Sequence, residues 1–402
     1  MSPPQKAPPA EPPLRTIALL AMAAFAGALN IRISDPLLAQ VAVGFSTTVG
    51  TAAAIVTAFT VGYGLFQLAF GPTGDRFGKY RVAGVLSLAA GLATISAAFA
   101  ATLGQLTLAR FAAGAASSAV IPLAFAWIGD AIPFERRQAV LARFLTAQFT
   151  GIVLSQAAGG YIGAEFGWRT VFVIVGTVHV LAGLAMLTEL KLNPGAQPAS
   201  APGANSFGAM ITGARLILRR PFVRVMLVAV FLECFAMYGA FSYVGADLVH
   251  RLDASFAVSG LVLAVFGVGA LSYSLSARWL LSRFGERGLV ALGGGIIAAA
   301  FVLLAVAPRV SFAIPAMILL GLGFYMFHNT LQTNATQMAP EARGLGVSLF
   351  AFSLFIGQSI GVALAAPIVD RFGAPPIYLA AAILMPLTAI WFRHRLAMRD
   401  PV

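Results

Sequence analysis

The apolar residues of this chain neither alternate with polar ones nor keep to one helical stripe. They come in runs of roughly 18–25 residues, the length a helix needs to cross the hydrocarbon core of a bilayer. Barrel strands would be about half as long and would alternate. Twelve runs predict twelve spans: 16–33, 48–70, 82–99, 103–127, 140–162 and 170–187 in the first half, then 225–244, 256–274, 288–306, 312–333, 345–368 and 377–391. Between the halves, NPGAQPASAPGANS reads as a flexible linker and SFGAMITGARLILRRP as a short amphipathic helix on the membrane surface. The opening MSPPQKAPPAEPPLR lacks the apolar core of a signal peptide, and its paired prolines predict an extended, solvated tail. The expected layout is a tail at 1–15, a six-helix bundle at 16–190, a linker at 191–221, a second six-helix bundle at 222–396 and a tail at 397–402.

Composition agrees. Of 402 residues, 59% are hydrophobic and 10% charged, where a soluble domain carries about 25% charged. No soluble interior of this size holds so much apolar side chain. The net charge of +12 does not mark a nucleic-acid partner, because the basic residues form no basic domain and cluster in one set of loops. That set holds Arg76, Lys79, Arg81, Arg136, Arg137, Lys191, Arg215, Arg219, Arg220, Arg283, Arg287 and Arg343. The opposite set holds Arg169, Arg251, Arg309 and Arg371. The positive-inside rule places the first set, and both termini with it, in the cytoplasm. The single cysteine, Cys234, excludes an internal disulfide and a cysteine metal cluster, and reads as packing.

The halves echo each other. Arg76-Phe77-Gly78 and Arg283-Phe284-Gly285 recur at the spacing that also relates Pro133 to Pro340 and Arg136 to Arg343. Each repeat holds six spans, so the repeats run parallel. The fold class expected is an all-α membrane protein, twelve transmembrane helices in two six-helix bundles related by pseudo-two-fold symmetry. Between spans two and three the chain reads Gly71-Pro72-Thr73-Gly74-Asp75-Arg76-Phe77-Gly78-Lys79-Tyr80-Arg81. Physically, Gly71 allows close helix approach. Asp75 is a carboxylate at a helix end, able to meet a neighbouring helix N-terminus. Arg76 and Lys79 supply cations, so the group makes a latch that can form and break; positive-inside topology alone is the simpler alternative. This stretch resembles the loop signature of the major facilitator superfamily: glycine, three variable residues, Asp-Arg, one variable residue, glycine, then basic residues. Arg110 to Gly114 in span four is similar to a second family signature. Gly151 to Gly160 resembles that of the drug-efflux antiporters, with Ser155-Gln156 where that signature has Gly-Pro. His328-Asn329-Thr330-Leu331-Gln332 looks like bacterial sugar efflux permeases.

Ionisable groups inside spans cost roughly 2.5–3.5 kcal/mol each on insertion scales and are functional suspects. Span one carries Asn30, Arg32 and Asp35, span four Arg110, span seven Glu233 near its middle, and span ten His328, Asn329 and Gln332. Each has a structural alternative. Arg32 and Asp35 can neutralise each other, Arg110 can snorkel, Glu233 can be structural, and His328, Gln332 and Thr336 can form a helix–helix hydrogen-bond seam. His179 reads as structural; Tyr63, Gln67 and Gln358 line a cavity or pack. The resemblance implies that spans one, four, seven and ten line a central cavity. Gating is expected of Gly71, Asp75, Arg76, Gly78 and Lys79, proton coupling of the membrane carboxylates Glu233 and Asp35 with Arg110, and the substrate cavity of Arg32, His328, Asn329 and Gln332. The expected function is a monomeric secondary transporter of the bacterial inner membrane. It would move a small solute by alternating access, driven by protons, in the direction of efflux. A symporter or uniporter for an organic acid, and a non-transporting sensor, are the alternatives. No phosphate loop, metal spacing or nucleophile elbow points to an enzyme, an ATP requirement, a cofactor or a metal.

Overall fold

The computed structural model describes residues 14–197 and 207–396. Residues 1–13 and 198–206 of the expected tail and linker, and the tail at 397–402, lie outside the described residues. Seventeen α-helices and two short 3-10 turns make up the described chain. They are α1 (Leu14–Arg32), α2 (Leu38–Gly44), α3 (Val49–Ala52), α4 (Ala54–Phe77), α5 (Lys79–Ala98), α6 (Leu103–Ser117), α7 (Val120–Ala131), α8 (Phe134–Phe166), α9 (Trp168–Leu192) and α10 (Phe207–Leu218). After these come α11 (Pro221–Phe241), α12 (Val244–His250), α13 (Phe256–Ala264), α14 (Phe266–Val306), α15 (Val310–Ala335), α16 (Arg343–Phe372) and α17 (Pro375–Arg395).

Among the described residues, ten helical stretches are long and apolar enough to cross a membrane. One of them, 256–306, contains two of the expected spans, and α14 within it is broken at Gly285, whose φ of 64 and ψ of 173 no helix holds. The expected fifth span falls within the 33 residues of α8, where Arg143, Gln148 and Gln156 dilute the apolar run. Where the sequence promises one continuous span, several helices are interrupted. Asp35 precedes Pro36, which disfavours helical backbone at Asp35, and α1 ends at Arg32. Pro122 has no N–H for the Ser118 carbonyl, and the chain breaks between α6 and α7 at 118–119. The amphipathic helix expected near 207–220 is α10.

Helices of the first half pack mainly on one another: α1 on α8 and α9, α4 on α6, and α5 on α6 and α9. Helices of the second half do the same, α11 on α16 and α17, and α14 on α15 and α17. In lipid no hydrophobic drive pulls helices together, so small residues at crossings decide how closely they approach. A Cβ at Gly114 of α6 would overlap the Phe59 carbonyl of α4, and one at Gly361 of α16 would overlap the Phe235 carbonyl of α11. Large apolar side chains such as Leu108 and Ile383 point outward, 68% and 61% exposed, onto a face that lipid covers.

The halves touch through α4 and α3 against α16, α8 against α13, and α2 against α12. On the side away from the chain ends, Asp370 of α16 accepts hydrogen bonds from the Thr48 hydroxyl and the Gly50 N–H at the start of α3, both at 2.7 Å. Deeper in, the hydroxyls of Thr60 and Ser359 lie 2.7 Å apart across the same junction.

Candidate functional site

The polar residues expected inside the spans gather into three connected groups. The first centres on Arg110, fully buried on α6, which does not snorkel. Asn30 lies in the last turn of α1, where carbonyls lose their helical partners. Arg110 Nη2 donates to that carbonyl at 2.9 Å and Nη1 to the Asn30 side-chain oxygen. Asn30 Nδ2 donates in turn to Thr94 at 2.7 Å. The guanidinium lies over Phe59, 4.2 Å from the ring centre. Arg110 is therefore a brace between α1 and α6, and its hydrogen bonds go to Asn30 rather than to Asp35.

The second group joins the halves. Arg32 Nη1 stands 3.7 Å from Asp35 Oδ2. Gln156 of α8 donates to the same oxygen at 3.4 Å. Arg32 Nη2 donates to Gln358 of α16 at 3.4 Å, and its guanidinium stacks 3.6 Å from the Tyr238 ring of α11. All of these residues are buried. The break after Arg32 turns Asp35 back beside its own helix, so a loop residue becomes part of the junction between α1, α8, α11 and α16.

The third group holds Glu233. Sequence alone offered it no partner; in the structure its Oε2 lies 2.7 Å from His328 Nδ1, across the α11–α15 contact. His328 also stacks on Phe324, ring centres 4.8 Å apart. Asn329 reaches Tyr273 at 3.5 Å. Gln332 and Thr336 are exposed whereas His328 is half-buried, so the three do not form one buried seam. His179 is buried with Nδ1 3.2 Å from the Ser87 hydroxyl, a structural contact. Gln156 and Tyr238 are the site residues that sequence reasoning passed over. Tyr238 lies one turn beyond Cys234 on α11, a spacing that could have flagged it.

The latch stretch has a geometry of its own. Gly78 closes α4 with φ 95, and a Cβ there would overlap the Gln197 side chain. Asp75 meets Lys79 at 3.1 Å, and Lys79 also meets Asp130 of α7. The Asp75 carboxylate in this conformation thus pairs with the side chain of Lys79, the first residue of α5. Arg76 lies beside Phe77, 5.0 Å from its ring centre. Gly71 has nothing within 4 Å of a would-be Cβ, so the close approach expected of it is absent here. Gly74, packed against Leu123, has that role instead.

A family profile, that of the Major Facilitator Superfamily, matches residues 20–362 and again 247–400. The chain belongs to the Major Facilitator Superfamily. Among Major Facilitator Superfamily relatives, the uncharacterized MFS-type transporter YwfA of Bacillus subtilis is 25% identical over 386 residues, 93% of this chain and 90% of its own. A probable transporter of Streptomyces coelicolor, SCO4007, is 28% identical, covering 88% of this chain and 81% of its own. A probable sugar efflux transporter of Mannheimia succiniciproducens is 25% identical over 65% of this chain and 63% of its own. Of solved structures, an auto-inhibited POT family peptide transporter superposes with a TM-score of 0.79 at 14% identity, covering 96% of this chain and 98% of its own. A D-xylose-proton symporter does so at 0.74 and 14%, covering 94% and 96%. These last two are likenesses of fold alone. The relatives are transporters, and the chain is a Major Facilitator Superfamily transporter, not an enzyme.

Proposed function

We propose that the chain crosses a bacterial inner membrane twelve times as two six-helix bundles, with both termini in the cytoplasm, and exports a small polar solute in exchange for protons. The four described glycines with positive φ support the duplication: Gly78 pairs with Gly285 and Gly167 with Gly373 in the two repeats. The break at Gly285 divides α14 as Gly78 divides α4 from α5, which supports counting twelve crossings. The printed names of the sugar efflux relatives favour efflux and make sugars the first compounds to try. Arg110 is occupied by Asn30 and Arg32 stands beside Asp35, which weakens the organic-acid alternative, for which these two cations would serve.

The observation that carries the coupling reading is the Glu233–His328 pair at 2.7 Å, with Glu233 fully buried and His328 half-buried. It places two groups that can exchange a proton between α11 and α15, a few residues from Tyr238, on which Arg32 of the first half is stacked. Alternating access then exposes the pair to one side of the membrane and later to the other. Proton and solute fluxes measured together in proteoliposomes test this. Glu233→Gln is expected to abolish proton flux while keeping solute exchange. Asp35→Asn is expected to keep proton coupling and change solute affinity, because Asp35 belongs to the junction of the halves. Normal coupling in Glu233→Gln would move the role to Asp35 or His328.

A further inference from the structure

Glu233 and Cys234 are consecutive on α11, so their side chains leave the helix about 100° apart and have no reason to share a ligand by themselves. His328 of α15 changes that. One ligand atom from each of Glu233, Cys234 and His328 lies within 4.8 Å of the other two. Glu233 and Cys234 are fully buried, and His328 keeps 12% of its side chain open, which leaves a way in. Only one Glu233 oxygen meets His328; Oε1 is buried without a partner. An orphaned carboxylate oxygen in an apolar interior is costly, and a ligand that it could bind would remove the cost.

A thiolate, an imidazole and a carboxylate together are the donors that Zn²⁺ accepts in tetrahedral sites with one open position. At metal–ligand bonds of about 2.0–2.3 Å such donors stand roughly 3.3–3.8 Å apart. No two donors of the present set stand more than 4.8 Å apart, about 1 Å beyond that spacing. Mg²⁺ and Ca²⁺ require mostly oxygen ligands and are excluded. Charge balances as well. A thiolate and a carboxylate neutralise a divalent ion, and Arg32, which faces the cluster from α1, has Asp35 as its own counter-ion. The other titratable groups that face it are Tyr238 on α11 and Tyr325 on α15.

We propose that Glu233, Cys234 and His328 bind a borderline-soft divalent cation of the Zn²⁺ or Cd²⁺ type, clamping α11 to α15. The site deepens the coupling reading and rests on it: the cation occupies the same Glu233 and His328 atoms that face each other at 2.7 Å, so it takes the place of the transported proton and arrests the carrier.

Cd²⁺ titration of the full-length protein in detergent tests the site without solute or gradient, so it succeeds or fails independently of proton-coupled transport. One equivalent of Cd²⁺ is expected to raise a thiolate charge-transfer absorption that Cys234→Ser lacks; no other cysteine is present to mimic it. Glu233→Gln and His328→Ala are each expected to weaken binding by at least about tenfold, the loss that even an outer partner's removal causes. Absence of the absorption in wild type, or unchanged affinity in either variant, overturns the three-donor site. Cadmium NMR of the wild type reads the donors directly and needs no variant to fold. A resonance outside the field of a mixed sulfur, nitrogen and oxygen set also overturns it.

Discussion

Arg110 shows how one residue read from sequence changes meaning in three dimensions. It was expected to take part in coupling or to snorkel; it does not snorkel, being fully buried and hydrogen-bonded to both the carbonyl and the side chain of Asn30. Removing it leaves the Asn30 oxygens without their donor in a place that water does not reach. Arg110→Leu is expected to cost on the order of 2–3 kcal/mol, the worth of hydrogen bonds to a charged group, read as a lower melting temperature in detergent. An unchanged melting temperature would show that Arg110 has no bracing role. Which residues are polar inside the spans was legible from the sequence, because a charge in a run of apolar residues stands out. Their partners were not. Glu233 and His328 are 95 positions apart, and only the crossing of α11 with α15 pairs them. Cys234 looked like packing because its two co-ligand candidates are recognisable only when that crossing is known.

At the scale of helices, the positions of the spans followed from run length, since nothing else accommodates so many consecutive apolar residues. Their interruptions followed less well. Pro36 and Pro122 were visible, but a proline does not by itself say whether a helix bends or stops, and here a helix stops near each. Gly285 stood out only as the repeat of Gly78; its backbone, at φ 64 and ψ 173, is one that side-chain-bearing residues avoid. Close crossings are the other element-scale determinant. Gly361 sits against the Phe235 carbonyl with no room for a side chain. Gly361→Leu is expected to force α16 from α11 and to cost about 1–3 kcal/mol, the range for overpacking. The assay is thermal unfolding alongside solute transport, with Gly344→Leu, at an open position, as the matched control. Equal melting temperatures for the two variants would contradict the packing argument.

Across the whole molecule, the charge asymmetry of the loops predicts one orientation. Reporter fusions at Pro194 and Val402 should both give a cytoplasmic signal, and a periplasmic signal from either rejects the topology. The two ends of the molecule also differ in how they are held. Near the chain ends, Asp75, Lys79 and Asp130 are bound within the first half. At the opposite end, Asp370 of the second half grips Thr48 and Gly50 of the first. Asp75→Ala and Arg76→Ala are therefore expected to slow turnover while leaving the protein inserted, because they act on the conformational exchange rather than on the solute. Wild-type turnover in both variants would remove that role.

The grip of Asp370 on the start of α3 has a consequence for how the carrier weighs a ligand presented from each side. Two partly exposed hydrogen bonds to one carboxylate are worth together on the order of 1–2 kcal/mol, a factor of roughly 5–30 in a two-state population. A ligand that fits only one state binds only while that state is populated, and its apparent dissociation constant is the intrinsic one divided by the fraction of time that state is present. Loosening the grip therefore changes a sidedness rather than a strength. In Asp370→Ala, a binder directed at the face of the chain ends should lose apparent affinity, and a binder directed at the opposite face should gain it, with the intrinsic contacts of both unchanged.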